Sequence, residues 1–243
     1  MKKSGFTLAE VLITLGIIGV VSALTIPTLV KRNTNETHVQ QLKKFYATLS
    51  QAVDTAMAEN STNTLKETML GVPESASAAQ SKAAVNSFLN EYFKVAVDCD
   101  STPTPCFADS YKRLDGEDFV LANAKSTYIV SGDAGKCVSL ADGTAVCLWS
   151  AIKPTYSIWY GSGNYHDMTQ LHVDVNGAKG PNILGRDLFA LELYSDGKIG
   201  DHYDASQLTY FGKDTLLERC SETVYTGAGC LSVIILDGWK MDY

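Results

Sequence analysis

Side chains that could supply oxygen ligands to a hard cation lie close together in one glycine-containing stretch. Asp174 and Asn176 precede Gly177, and Asp187 follows after a short turn-rich segment. Carboxylate and amide oxygens on a bent backbone are what calcium requires. The EF-hand pattern fails, however, and Lys179 places a positive charge inside the stretch. Two interpretations remain: an Asn-Gly turn with Asx hydrogen bonds, which we favour, and a calcium site of Asp174, Asn176 and Asp187.

Six cysteines, all beyond residue 98, are the second group that could do chemistry. They fall into local couples that lack both the C-x-x-C spacing and the close histidines of a zinc site. Disulfides in an oxidising compartment are therefore the better prediction. We expect sequential pairing because Cys137 and Cys147 flank an Asp142-Gly143 turn. The expected pairs are Cys99 with Cys106, Cys137 with Cys147, and Cys220 with Cys230.

Glu10 is the one ionisable side chain in residues 6–30, which are otherwise almost entirely apolar or small. As a helix this run would be about 37 Å long, which is enough to cross the ~30 Å hydrocarbon core of a bilayer. An unpaired carboxylate at membrane depth costs at least ~2.5 kcal/mol. Glu10 therefore requires a partner.

Basic residues flank the apolar run on both sides. The lysines at residues 2–3 favour a cytoplasmic N-terminus, whereas Lys31 and Arg32 oppose that orientation. A secretory signal peptide is an alternative, because the small residues at 21–23 resemble a cleavage site. A lipoprotein signal is excluded because no cysteine precedes Cys99.

The residues around Glu10 form a specific pattern. A short N-terminal segment with two lysines ends at Gly5, and the sequence Phe-Thr-Leu-Ala-Glu follows from Phe6 to Glu10. Pro27 lies near the end of the apolar segment. This pattern resembles the N-terminus of type IV prepilins and of the pseudopilins of type II secretion. The resemblance implies cleavage between Gly5 and Phe6 by a prepilin peptidase and N-methylation of Phe6. It also implies that Glu10 neutralises the N-terminal ammonium of a neighbouring Phe6 in a filament, which is less costly than burying either charge alone.

The same resemblance implies a structural subunit of a pilus or of a secretion filament. Its partners would be like or related subunits, the prepilin peptidase and the inner-membrane assembly machinery. The chain would cross the inner membrane once before assembly, and its head would then lie in the periplasm or at the cell surface. No cofactor is expected apart from the calcium considered above.

Two other functions remain open. A minor tip subunit would share the same N-terminus and bind a surface, DNA or secreted cargo. A membrane-tethered extracytoplasmic enzyme would need a polar pocket around His166, His172 or His202. No catalytic constellation stands out, so we do not expect an enzyme. The formal net charge of −7 also argues against a nucleic-acid partner.

The resemblance implies a leader at residues 1–5, followed by a transmembrane segment at 6–30 that also serves in assembly. Hydrophobic periodicity predicts an amphipathic helix at 31–60, and the cysteines place the rest of the chain, residues 61–243, in an extracytoplasmic head. Apolar residues at three- and four-residue steps from Val39 onward predict that the amphipathic half packs on the head. Because helical patterns come first and strand patterns follow, we expect an α+β fold in which a sheet packs on the long helix. The resemblance implies that this fold is pilin-like, with a mainly antiparallel sheet.

Finer expectations concern the head. Residues 59–80 are rich in small polar side chains and predict a surface connection, and the mostly apolar run at residues 231–236 predicts a late strand. Asp196, Asp201 and Asp204 surround His202 and suggest a solvated acidic loop.

Overall fold

A long N-terminal helix, α1 (Leu8–Glu59), dominates the computed structural model. The residues that the structure describes are 7–121, 134–153, 157–159, 165–201, 212–221 and 227–243. Thr7 caps the start of α1, and the helix continues through Pro27 although that residue has no N–H to donate. At ~1.5 Å per residue, α1 is roughly 80 Å long.

The remaining described helices are short. A 3-10 turn covers Leu65–Glu67, and α2 (Ala78–Tyr92) begins with a capping box at Ser77. Near the end of the chain lie α3 (Lys213–Ser221) and α4 (Cys230–Leu236). The described strands are β1 (Val95–Asp98), β2 (Tyr111–Lys112), β3 (Asp118–Phe119), β4 (Lys136–Leu140), β5 (Ala145–Leu148), β6 (Ser157–Trp159), β7 (Tyr165–Asp174), β8 (Leu188–Tyr194) and β9 (Ile199–Gly200).

The main sheet of the described residues has the order β1–β4–β5–β7–β8–β9, with β6 paired to β7, and every pairing is antiparallel. Strands β2 and β3 form a separate small pair. The β4–β5 register places Cys137 opposite Cys147 across the hairpin. Neighbouring antiparallel strands joined by short turns account for much of this order.

The core lies between the second half of α1 and one face of the sheet. The apolar stripe of the helix packs against inward-facing residues of the strands, including Val146, Leu171 and Phe189. The buried α1 residues are Asn35, His38, Val39, Leu42, Phe45, Leu49, Ala52, Val53 and Ala56. The predicted α+β fold, with a long helix packed on an antiparallel sheet, is confirmed.

Two expectations for the head were wrong. Residues 231–236 belong to helix α4 rather than to a strand, because a short apolar run fits a buried helix as well as it fits a strand. The connection at 59–80 is not merely a surface segment, since Leu65 and Leu70 are fully buried in the core.

Candidate assembly helix and its junction with the head

The apolar half of α1, residues 8–30, lies outside the head. Its large side chains remain exposed, from 41% at Val11 to 79% at Leu8. The helix is long and apolar enough to cross a membrane. Burial of apolar surface is worth roughly 25 cal/mol per Å². The exposed apolar surface is therefore suited to lipid or to the helices of other molecules.

Glu10 lies in the first turn of this half and takes part in a capping box with Thr7. The backbone N–H and the hydroxyl of Thr7 each donate to Glu10 Oε2 at 2.8 Å, and the Glu10 N–H donates to Thr7 Oγ1 at 3.3 Å. The carboxylate thus has a partner within the single chain. Our reading of the sequence missed this contact, although Thr-x-x-Glu before an apolar run is its signature. Gly5 and Phe6 lie outside the described residues.

Polar side chains join α1 to the head at the N-terminal end of the buried stripe of α1. Asn35 donates through Nδ2 to the Met241 carbonyl at 3.1 Å and accepts at Oδ1 from Arg186 Nη1 at 3.0 Å. Arg186 Nη2 also donates to the Tyr243 carbonyl at 3.0 Å. These bonds connect α1, the segment before β8 and the last residues of the chain. No local sequence pattern indicates this junction, because its members lie far apart along the chain.

Asp174, the first of the possible calcium ligands, is buried at the end of β7. Its Oδ2 accepts from the Tyr111 hydroxyl at 2.7 Å, and its Oδ1 accepts from the Asn176 N–H at 3.1 Å. The second contact forms the Asx turn that we favoured. Burial, reinforced by the negative charge of Asp187, raises the pKa of Asp174 to about 8. The side chain of Asn176 lies 3.2 Å from His38 Nε2 on α1.

Asp187 is buried just before β8, and both of its oxygens accept hydrogen bonds from nearby backbone. The N–H groups of Asn182 and Ile183 donate to them at 2.6 Å each. The structure brings Asp174 and Asp187 into one buried region, where chain donors already occupy their oxygens. Within the described residues, no group of three or more His, Cys, Asp or Glu side chains is arranged for a metal ion. Calcium binding stays a prediction.

Three disulfides link cysteines that are neighbours in sequence. They are Cys99–Cys106, Cys137–Cys147 and Cys220–Cys230. The second joins adjacent strands across the β4–β5 hairpin, and the third ties α3 to α4. Each closes a short loop and limits the conformational freedom of the unfolded head.

His172, one of the histidines considered for an enzyme, is buried in β7. Its Nδ1 accepts a hydrogen bond from Trp149 Nε1 at 2.5 Å, and burial lowers its pKa to about 4. A histidine in this position supports packing between β5 and β7. His202 and the side chain of His166 lie outside the described part of the chain.

The carboxyl of Asp201 is buried, whereas the sequence predicted that Asp201 lies in a solvated loop. Only 2% of it is exposed, so the expectation of a solvated residue was wrong. It accepts the Ser232 N–H at 2.9 Å and a short hydrogen bond from the Ser232 hydroxyl. Because the N-cap of α4, Gly229, has no side chain, Asp201 supplies the capping acceptor from outside the helix. Asp204 lies outside the described residues.

The pKa of Asp201 predicts a pH dependence of stability. Burial raises this pKa to about 7, against an ordinary value near 4. The folded protein therefore retains a proton that the unfolded chain releases, and the contribution of Asp201 to stability falls as the pH rises from about 4 to 7. We expect wild type to lose about 2 kcal/mol relative to Asp201→Asn between pH 5 and pH 8.

Chemical denaturation of the full-length protein in detergent at both pH values measures this difference. Comparison with the variant cancels the opposing contribution of His172, whose lowered pKa favours the folded state as the pH rises toward 6.5. A constant difference between wild type and variant across this range would contradict a raised pKa at Asp201.

Comparison with known proteins bears on the N-terminus. Residues 1–26 match the family model of the prokaryotic N-terminal methylation motif. The chain carries the signature of type IV prepilins and pseudopilins. The signature contains Gly5, Phe6, Glu10 and most of the apolar half of α1, and it ends just before Pro27. The resemblance recognised from the sequence is thereby confirmed. No curated protein and no solved structure matches the chain.

Proposed function

We propose that this chain is a structural subunit, a pilin or pseudopilin, of a type IV pilus or of a type II secretion filament. A prepilin peptidase cuts the precursor after Gly5, and Phe6 becomes an N-methylated first residue. The inner-membrane machinery then moves the subunit from the bilayer into a filament of like or related subunits. The head remains outside the cytoplasm, in the periplasm or at the cell surface.

The observation that supports this proposal most strongly is the location of the prepilin signature on a helix that extends beyond its own head. The apolar half of α1 is left uncovered, whereas the second half is buried against the sheet. One surface can be covered by lipid before assembly and by neighbouring helices afterwards. Lipid and neighbouring helices both keep these apolar side chains out of water, so transfer of the subunit from one to the other exposes little apolar surface to water.

Substitution of Gly5 tests the processing step. We expect Gly5→Leu to accumulate as an uncleaved precursor, because a protease that approaches the backbone closely requires a residue without a side chain. Intact mass spectrometry of membrane fractions distinguishes precursor from mature chain. Gly16→Ala is the matched control, since a Cβ at Gly16 would contact nothing and this variant should be cleaved normally. Equal cleavage of Gly5→Leu and wild type would refute processing at this bond.

A further inference from the structure

Four of the described basic side chains are exposed where α1 meets the head, at the end nearest the apolar half of α1; two lie on α1 and two on the head. They are Lys31, Arg32, Lys179 and Lys240, which we call the basic collar. We propose that the basic collar contacts the anionic phospholipid headgroups of the membrane that holds α1. The inference rests on the proposed function in one respect, namely that the apolar half of α1 spans a membrane.

Lys240 reaches this end through the helix–head junction. The apolar run ends at Val30, and Asn35 lies five residues later, about 7.5 Å along the helix axis. Asn35 Nδ2 binds the carbonyl of Met241 at 3.1 Å, so the last residues of the chain lie at this level. Lys240 precedes Met241 in sequence and is exposed.

A second set of contacts places the loop that carries Lys179 at the same end of the head. The side chain of Asn176 donates to the Gly180 carbonyl at 3.1 Å and lies 3.2 Å from His38 Nε2. His38 is eight residues beyond Val30, which is about 12 Å along the axis. The loop that carries Lys179 is thus held against α1 close to the expected headgroup level. Fields from a charged surface extend about 10 Å at ordinary ionic strength.

The charges at this end favour an anionic partner. Arg32 binds Glu36 at 3.0 Å, but within the described residues Lys31, Lys179 and Lys240 have no ion pair. Glu36 and the exposed acid Asp242 together offset two of the four charges of the basic collar, which leaves a local excess of positive charge. The formal net charge of the whole chain is −7, so this local excess of positive charge does not follow from the average composition.

Headgroup contact also gives a role to Lys31 and Arg32, which oppose the orientation favoured by the lysines at residues 2–3. Basic residues beside a membrane-spanning helix are attracted to anionic lipid, and this attraction falls off within a Debye length. The basic collar therefore holds the base of the head against the membrane surface before assembly. The contact is electrostatic and must be released when the subunit leaves the bilayer.

The test uses the full chain in nanodiscs that hold one copy each, made either from phosphatidylcholine alone or with added phosphatidylglycerol. Formaldehyde with a borane reductant, both uncharged, methylates exposed lysines, and mass spectrometry gives the rate at each residue. We expect labelling of Lys179 and Lys240 to be about threefold slower in the anionic discs, and high salt to remove the difference. Lys198 is the internal control, because it adjoins Gly197, which lies against Met57 near the far end of α1.

The outcomes separate this inference from the proposed function. Equal rates at Lys179 and Lys240 in the two lipids would overturn headgroup contact while leaving membrane insertion intact, as would an equal slowing at Lys198. Failure of the chain to enter discs of either composition would contradict the membrane-anchored subunit itself, and headgroup contact with it.

Discussion

Replacing Glu10 with glutamine is expected to leave precursor cleavage intact and to reduce the subunits recovered in filaments by at least about tenfold. The carboxylate is proposed to neutralise the ammonium of a neighbouring N-methyl-Phe6. Without that charge, the ammonium is buried unpaired among apolar helices at a cost of at least ~2.5 kcal/mol. Filaments sheared from cells and quantified against the membrane pool measure the effect.

Glutamine separates the charge of Glu10 from its capping function. Its side-chain oxygen can still accept the Thr7 N–H, as Glu10 Oε2 does at 2.8 Å, and its volume is similar. Thr14→Ala is the control within the same helix, because the Thr14 hydroxyl only donates locally to the Val11 carbonyl. Normal assembly of Glu10→Gln would contradict the proposed charge neutralisation, because it would show that assembly does not require the charge of Glu10.

Asp201→Ala is expected to lower the free energy of unfolding of the head by about 2–4 kcal/mol at pH 5, which is below the raised pKa of Asp201, so that most of its contribution to stability is retained. The substitution leaves the Ser232 N–H and hydroxyl buried without their acceptor and removes the cap of α4. Because Cys220–Cys230 ties α4 to α3, the loss should loosen both helices. Chemical denaturation of the full-length protein, followed by tryptophan fluorescence, measures the change.

Asp196→Ala is the matched control for this prediction. Asp196 belongs to the same acidic stretch of sequence, but its carboxylate is exposed and pairs with Lys198 at 2.6 Å in a surface turn. Exposed ion pairs contribute less than about 1 kcal/mol. Similar losses in the two variants would contradict the role assigned to Asp201.

The helix and much of the sheet could be predicted because their signals are periodic and local. The stripe from Val39 to Ala56 repeats at helical spacing, and the structure buries it against the sheet. The β4–β5 hairpin follows from β-rich residues on both sides of Asp142-Gly143, and the structure pairs Cys137 with Cys147 across it. The prepilin signature is likewise contiguous in sequence, so its residues could be identified without a structure.

Features made by distant residues could not be predicted in this way. Helix α4 is buried at residues 231–234, so it lacks the amphipathic period that identifies a surface helix. Asp201 looks like one of several loop acids until Ser232 is brought beside it from 31 positions away. The junction of Asn35 with Arg186 joins residues that are 151 positions apart, and no local pattern indicates which polar residues will meet.

The N-terminus of the chain in sheared surface or periplasmic filaments tests the central claim most directly. Intact mass spectrometry and N-terminal peptide sequencing should find a subunit that begins at N-methyl-Phe6 and retains the apolar half of α1. A chain that begins at Leu24, as cleavage by a signal peptidase after Ala23 would produce, would contradict the account. So would a subunit in these filaments that still carries residues 1–5.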